Sequence, residues 1–257
     1  SLPGLPLLLA SRVVEGASHL AIVVAAPTLI AQLSAPKDRG LTLSLWGTFF
    51  GVAFAVLSLF GRPLVAGWGI PALFIAHALY MAVFAIYLSA SLKRLPPEGP
   101  QPTLNLRQIL RDHVTIYRSP SIGAPAAGWF FYTFCFVSIL TVLPPYLAPE
   151  LRNMILAAMP IVSIIVSMTL GVWLLGRIPA VQVVELGFGA SALCLVWLWA
   201  APGAPLACLA LAAALGLVQG SSFATVPQLN DTASSQAQSN GAMAQMGNLG
   251  NTLDTPV

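Results

Sequence analysis

Long apolar segments recur along nearly the whole chain, and most of its charged residues lie in the short gaps between them. Only 7% of the residues are charged, against about 25% in a water-soluble domain. A bilayer core about 30 Å thick needs about 20 apolar residues per helix, and a barrel would need an alternation that these segments lack. The sequence therefore predicts an all-α, polytopic transmembrane helical bundle, with seven spans near residues 5–33, 41–64, 71–92, 121–147, 151–175, 181–200 and 206–226.

Basic residues concentrate in alternate loops, at Lys37, Arg39, Lys93, Arg94, Arg107, Arg111, Arg118 and Arg177. By the positive-inside rule these loops face the cytoplasm. The net charge of +3 is then a sign of topology, and we expect no nucleic-acid partner. The basic, proline-containing segment 93–120 is predicted to be a cytoplasmic linker between helix bundles over 1–92 and 121–257. It includes an amphipathic helix near 104–117 on the membrane surface.

Three ionisable residues, Arg12, Glu15 and His19, lie inside the first apolar segment. At offsets of three and four they fall within about 60° of one another on a helix, so they share one face. Charges at membrane depth face the bundle interior or a water-filled cavity. Arg12 is therefore our candidate for binding an anionic or polar substrate, and Glu15 or His19 for proton coupling. The alternatives are an Arg12–Glu15 ion pair between helices, an arginine that reaches the outer headgroups, and a histidine that only bonds a neighbouring helix.

Other polar residues recur in the fourth and seventh apolar segments, and they either line a cavity or join helices. They are Trp129, Tyr132, Ser138 and Thr141, then Gln219, Ser221, Ser222, Thr225 and Gln228. Cys135, Cys194 and Cys208 show no metal or redox spacing, and the known hydrolase, phosphate-loop and dinucleotide motifs do not occur. We therefore predict no catalytic residues, no metal site and no cofactor.

Several of these motifs resemble a known family. Arg12-x-x-Glu15-Gly16-x-x-His19, the segment 25–30, the loop 36–40 and Leu45-Trp46-Gly47 together resemble the fourth and fifth helices of major facilitator superfamily transporters, most of all the bacterial cyanate-permease-like branch. The segment 171–179 is similar to the degenerate second copy of the superfamily's Gly-x-x-x-Asp-Arg-x-Gly loop, with Gly176 in place of the acid. The chain lacks an initial methionine, and we expect a fragment that covers about helices four to eleven.

The resemblance implies a secondary active transporter of the bacterial inner membrane, not an enzyme, that works by alternating access as a monomer. Its partners would be the lipid bilayer, a small solute and, where transport is coupled, protons. An arginine in the cavity favours an anion unless Glu15 neutralises it, and symport and uniport both stay open. The lining helices imply substrate or coupling roles for Arg12, Glu15, His19, Tyr132, Ser138, Gln219 and Ser222, and the gating loops imply roles for Asp38, Arg39, Gly40, Gly171 and Arg177.

The segment 232–257 has two interpretations. Its small, polar composition is typical of a cytoplasmic tail, whereas the resemblance makes it the start of the eleventh helix. On a helix, Gln236, Asn240, Gly247, Asn251 and Asp254 form one polar stripe, which favours the helix. Two other protein classes also stay open: a seven-span sensor or receptor, and an intramembrane enzyme, which would need reactive groups that meet at one depth.

Overall fold

The computed structural model describes residues 4–92 and 106–253, and within these ranges every regular element is helical. Residues 93–105, nearly half of the predicted linker, lie outside the described part, as does Asp254. The α-helices are α1 (Leu5–Leu33), α2 (Arg39–Gly47), α3 (Phe49–Val56), α4 (Arg62–Trp68), α5 (Ile70–Leu92), α6 (Leu106–Arg118), α7 (Pro120–Val142), α8 (Pro149–Val166), α9 (Val172–Leu175), α10 (Ala180–Ala200), α11 (Pro205–Leu229) and α12 (Ala233–Leu253).

Six helices among the described residues are long and apolar enough to cross a membrane. They match six of the seven predicted spans, and the polytopic all-α class is confirmed. The exception is the second apolar segment, 41–64, which is divided into α2, α3, a π-helical turn over Leu57–Gly61 and α4. Pro63 follows this turn and has no N–H to donate to the carbonyl of Leu59, so the regular α ladder is interrupted there.

The chain separates into two compact units, Ser1–Gly51 with His113–Val257, and Val52–Asp112. In the first unit the central element is α11, which packs against α2, α7, α8 and α10. Gly216 allows this close packing, because a Cβ there would collide with the backbone of Ser163 on α8. The core around α11 includes Leu211, Leu215 and Val218, all fully buried.

The helix α12 closes the same unit by packing against α7 and α1. Gly247 and Gly250 let it approach α7, because a Cβ at either position would meet Trp129 or Thr133. The helical interpretation of segment 232–257 is thus confirmed over Ala233–Leu253. Its polar stripe is turned inward, since Gln236, Asn240 and Gly247 are buried.

In the second unit, α4 packs against α5. Along α5 the large apolar side chains are exposed, among them Phe74, Tyr80 and Tyr87. Such a surface is typical of a helix that contacts lipid or a neighbouring helix. The predicted division of the chain at 1–92, 93–120 and 121–257 stays a prediction.

The predicted amphipathic helix is present as α6, and its last two turns are tied to α12 through Gln245. The Tyr117 hydroxyl donates to Oε1 of Gln245 at 2.7 Å. Nε2 of the same amide, which can only donate, lies 3.0 Å from Nε2 of His113. Burial raises the pKa of Tyr117, so its hydroxyl remains a donor throughout the neutral range.

Candidate functional site

A cavity lies between α1, α3, α7, α11 and α12. The centre of a water molecule can occupy about 80 Å³ of it, within an empty volume of about 520 Å³ that includes its open mouth. Its lining combines aromatic rings with amide, hydroxyl and imidazole groups: His19, Val23, Phe49, Trp129, Thr133, Phe223, Asn240, Met243, Ala244, Gly247, Asn248 and Asn251. His19 is at the midpoint of α1, so the cavity lies at about mid-depth in the bundle.

One wall of the cavity is aromatic. Trp129 stacks on Tyr132 with ring centroids 4.8 Å apart and meets the edge of Phe223 at the same distance. Phe223 also meets Trp46, which stacks on Phe49 at 5.3 Å. The contacts join rings from α2, α3, α7 and α11, and such offset and edge-on pairs each stabilise by about 0.5 to 1.5 kcal/mol beyond area burial. The wall is therefore a rigid surface rather than a set of mobile side chains.

Three residues of the polar stripe of α12, Asn240, Gly247 and Asn251, also line the cavity. Asn240, which is 3% exposed, donates from Nδ2 to Oγ1 of Thr28 on α1 at 3.0 Å. Because the Thr28 hydroxyl itself donates to the Val24 carbonyl, it can only accept from Asn240, and this fixes the orientation of the amide. Oδ1 of Asn240 and Oδ1 of Asn251 are both buried and have no hydrogen-bond partner among the described residues.

Three comparisons with known proteins bear on this arrangement. The family model described as the Major Facilitator Superfamily matches residues 1–253. The chain belongs to the Major Facilitator Superfamily. It is similar in fold to a solved structure described as a Major Facilitator Superfamily transporter, FucP, in the outward conformation, with a TM-score of 0.62 and 18% sequence identity. The similarity covers 91% of this chain and 64% of that one, so the chain spans less than two thirds of FucP. No curated protein matches the chain significantly.

Membership of the superfamily makes the chain a multi-pass membrane protein in a family of small-molecule transporters. The finer assignments of the sequence analysis, to a bacterial inner membrane and to the cyanate-permease-like branch, stay predictions. Among the described residues, no group of three His, Cys, Asp or Glu side chains is close enough to hold a metal ion.

The three ionisable residues of α1 lie in two different environments. Nη1 of Arg12 lies 2.5 Å from Oε2 of Glu15, with the two side chains 56% and 60% exposed. The predicted alternative of an Arg12–Glu15 ion pair is therefore present, but both residues belong to α1, so this contact does not connect two helices. His19 lies one turn further along α1 and lines the cavity, so of the three only His19 is among its lining residues.

Gln219 joins three helices. Its Nε2 donates to the carbonyl of Gly47 at 2.7 Å, and its Oε1 accepts from the hydroxyl of Ser163 at 2.9 Å. Gly47 is the last residue of α2, where carbonyl groups lack intrahelical partners. The side chain is 1% exposed, and both ends of its amide are bonded to the protein. Gln219 therefore bridges α2, α8 and α11.

The other candidates from α7 and α11 lie outside the cavity lining. Tyr132 is fully buried and stacks on Trp129, and its hydroxyl has no hydrogen-bond partner in the part of the chain that the structure describes. Ser138 is half-buried and lies further along α7. Ser222 donates to the carbonyl of Val218 and lines a separate, mostly apolar cavity of about 440 Å³ beside Glu185. Their predicted roles in substrate binding stay predictions.

The two predicted gating loops meet at one end of the first unit. Gly40 lies against α9, since a Cβ there would come within 3.3 Å of the Leu175 side chain. Arg39 and Gly40 line a further cavity of about 380 Å³ together with Ile178 and Pro179. Asp38 is the N-cap residue of α2, and its side chain makes no capping hydrogen bond to the helix. The gating roles of these residues stay predictions.

The remaining members of the gating set lie on or beside α9. The exposed guanidinium of Arg177 stacks over the Trp173 ring, 3.8 Å from its centroid, and donates to the Trp173 carbonyl. Gly171 is buried at the end of a π-helical turn, Ser167–Gly171. Neither residue lines the cavity beside Arg39.

Part of the cavity lining was not among the residues predicted from the sequence. Phe49 and Phe223 could not be recognised as lining residues, because the sequence of an apolar segment does not show whether an aromatic side chain faces lipid or a cavity. Asn240, Gly247 and Asn251 could be recognised from the sequence as part of the polar stripe of α12. Their spacing indicated a helix but not a cavity wall.

Proposed function

We propose that this chain is the greater part of a secondary transporter that moves a small solute across the membrane by alternating access. The observation that carries the proposal is the mid-depth cavity, which collects side chains from both halves of the chain. His19 and Phe49 come from before the linker, and Trp129, Phe223 and Asn240 from after it. In transporters built from repeated bundles, substrate sites lie near the midplane at such an interface.

The Gln219 bridge supports the same proposal. It connects α2, from the first half of the chain, with α8 and α11 from the second. Alternating access needs contacts between the bundles that form in one state and break in another. We propose that the two hydrogen bonds of Gln219 are such contacts and break when the bundles move.

For coupling, we propose that the α1 face with Arg12, Glu15 and His19 links proton movement to solute binding. Glu15 is four residues before His19, and residues so spaced are neighbours on a helix. Protonation of Glu15 would release Arg12 and alter the charge beside the cavity. We further propose that the protein acts as a monomer in a bacterial inner membrane, without catalytic activity.

The test is reconstitution of the protein, with its natural termini, into proteoliposomes. The vesicles are incubated with a mixture of small metabolites under an inward proton gradient, and the contents are identified by mass spectrometry. We expect at least one solute to enter at a rate well above that of protein-free vesicles. Entry of no solute, with or without the gradient, would refute transport, and entry that ignores the gradient would refute coupling alone.

A further inference from the structure

We propose that the cavity beside Glu185 binds an amphipathic amine, a molecule with one ammonium group on a single apolar chain, which enters from the lipid bilayer. This α7–α10 cleft lies between α7, α10 and α11. It shares no lining residue with the mid-depth cavity, so the inference stands independently of the proposed transport function.

The α7–α10 cleft lies at the end of the bundle where α7 and α10 begin and α11 ends. The helix α11 forms its floor, because it packs against both α7 and α10. On α7 the lining reaches no further than Gly128, where the two walls come close: a Cβ on Gly128 would lie 3.9 Å from the Phe188 ring of α10. The cleft is therefore confined to one end of these helices, within reach of an amphipathic molecule that occupies a single leaflet.

The walls of the α7–α10 cleft are mainly apolar. They include Pro125 from α7, Val181 and Val184 from α10, and Leu229 from α11. The volume of about 440 Å³ is in the range of about 300 to 1,000 Å³ that small-molecule sites occupy. An alkyl chain finds surroundings here as apolar as those it leaves in the bilayer, so the walls suit the apolar part of the ligand.

The charge in the α7–α10 cleft comes from Glu185, whose side chain is exposed. It is five residues after Ala180, the first residue of α10, and so lies about 7.5 Å along this membrane-spanning helix. Charged groups inside such helices pair with one another or with backbone carbonyls. Among the described residues Glu185 forms no ion pair and no hydrogen bond, and the described lining contains no Lys, Arg or His. The partner that this carboxylate lacks is a cation.

The hydroxyl groups of the α7–α10 cleft disfavour a ligand that carries a negative charge. Ser222 donates to the carbonyl of Val218, and Thr225 donates to the carbonyl of Ser222, so neither hydroxyl has a hydrogen left for a ligand. Ser121 is hydrogen-bonded to Ser119 at 3.1 Å. A phosphate or carboxylate would therefore meet the charge of Glu185 and at most one side-chain donor among the described lining residues, that of Ser121. This favours an amine without phosphate over a phospholipid headgroup.

Photolabelling tests the place of binding. The probe is dodecylamine with a diazirine at mid-chain, and the protein, with its natural termini, is reconstituted in phosphatidylcholine nanodiscs at pH 7. After irradiation, the labelled peptides are identified by mass spectrometry. We expect label within residues 120–128, 181–185 and 222–229, the three segments that line the cleft. Label only in other segments would overturn the proposal.

Competition against the same probe tests the chemical class. Dodecylamine, dodecanol, dodecyl sulfate and a lysophosphatidylethanolamine share an apolar chain and differ in their polar group. We expect dodecylamine to compete at least about tenfold better than each of the others. Equal competition by dodecanol would show that the carboxylate plays no part. Equal competition by the lysophospholipid would show that the site accepts a phosphate, and either result would overturn the proposal.

Variants separate the charge from the shape of the cleft. Glu185→Gln keeps the shape, and we expect about a 10- to 100-fold loss of dodecylamine affinity, as for one hydrogen bond to a charged group. Glu185→Asp keeps the charge and should retain most of the affinity. Glu150→Gln, the same substitution at an exposed position of α8 outside the cleft, is the matched control. Ala124→Phe fills the cleft without a change of charge and should abolish its labelling. Equal labelling of Glu185→Gln and Glu150→Gln, or full labelling of Ala124→Phe, would contradict the proposal.

Discussion

Replacing Gln219 with Leu should destabilise the first unit, because it removes a bridge between three helices. Leucine keeps most of the side-chain volume but breaks the bonds to the Gly47 carbonyl and the Ser163 hydroxyl. Hydrogen bonds between membrane helices contribute about 0.6 kcal/mol on average and at most about 1.7 kcal/mol. Two such bonds predict a loss of about 1 to 3 kcal/mol in the free energy of unfolding.

The assay is equilibrium unfolding in mixed detergent micelles, followed by circular dichroism with increasing sodium dodecyl sulfate. Gln182→Leu is the matched control, since the same substitution falls there at an exposed position, on α10. We expect the control to change stability by less than about 0.5 kcal/mol. A second variant, Ser163→Ala, removes only one of the two bonds and should lose about half as much as Gln219→Leu.

Equal stability of the Gln219→Leu variant and the control would refute the reasoning, since the bridge would then contribute nothing. A loss confined to Ser163→Ala would refute it as well, because that variant leaves the Gly47 bond intact. A variant that unfolds normally but transports with altered kinetics would place the bridge in the conformational cycle.

Three further predictions follow from single positions. Gly216→Ala should destabilise the protein by about 1 to 3 kcal/mol through overpacking against α8, whereas Gly189→Ala, where a Cβ meets open space, should not, and equal thermal denaturation of the two would contradict this packing. Glu15→Gln should abolish the pH dependence of solute uptake in proteoliposomes, and an unchanged pH profile would exclude Glu15 from coupling. Burial raises the folded-state pKa of Tyr117 above 10.0, so the unfolded hydroxyl ionises first and stability should fall above about pH 10. Tyr117→Phe should lower stability at pH 7 by about 1 kcal/mol and reduce this alkaline loss, as measured by chemical unfolding at pH 7 and 10.5.

The sequence was sufficient for the class of the fold, because a bilayer imposes a length and a hydrogen-bonding rule on each segment separately. Six spans and the amphipathic α6 follow from local composition in this way. The helix α12 also follows from its stripe, although its composition alone is that of a tail. The π-helical turn at Leu57–Gly61 is also a local feature, but the length of the apolar segment 41–64 predicted one continuous span and did not indicate the interruption.

The members of the site were decided by packing. Gln219 is a polar residue in an apolar helix, and that pattern is expected both for a residue that lines a cavity and for one that bridges helices. Only the positions of Gly47 and Ser163 show that Gln219 is a bridge. Asn240 depends on Thr28, which is 212 residues away in the chain. A helical wheel gives the direction of a side chain about its own axis, but the neighbour it meets depends on how the helices pack. That arrangement is a property of all the contacts together, and only the tertiary structure fixes it.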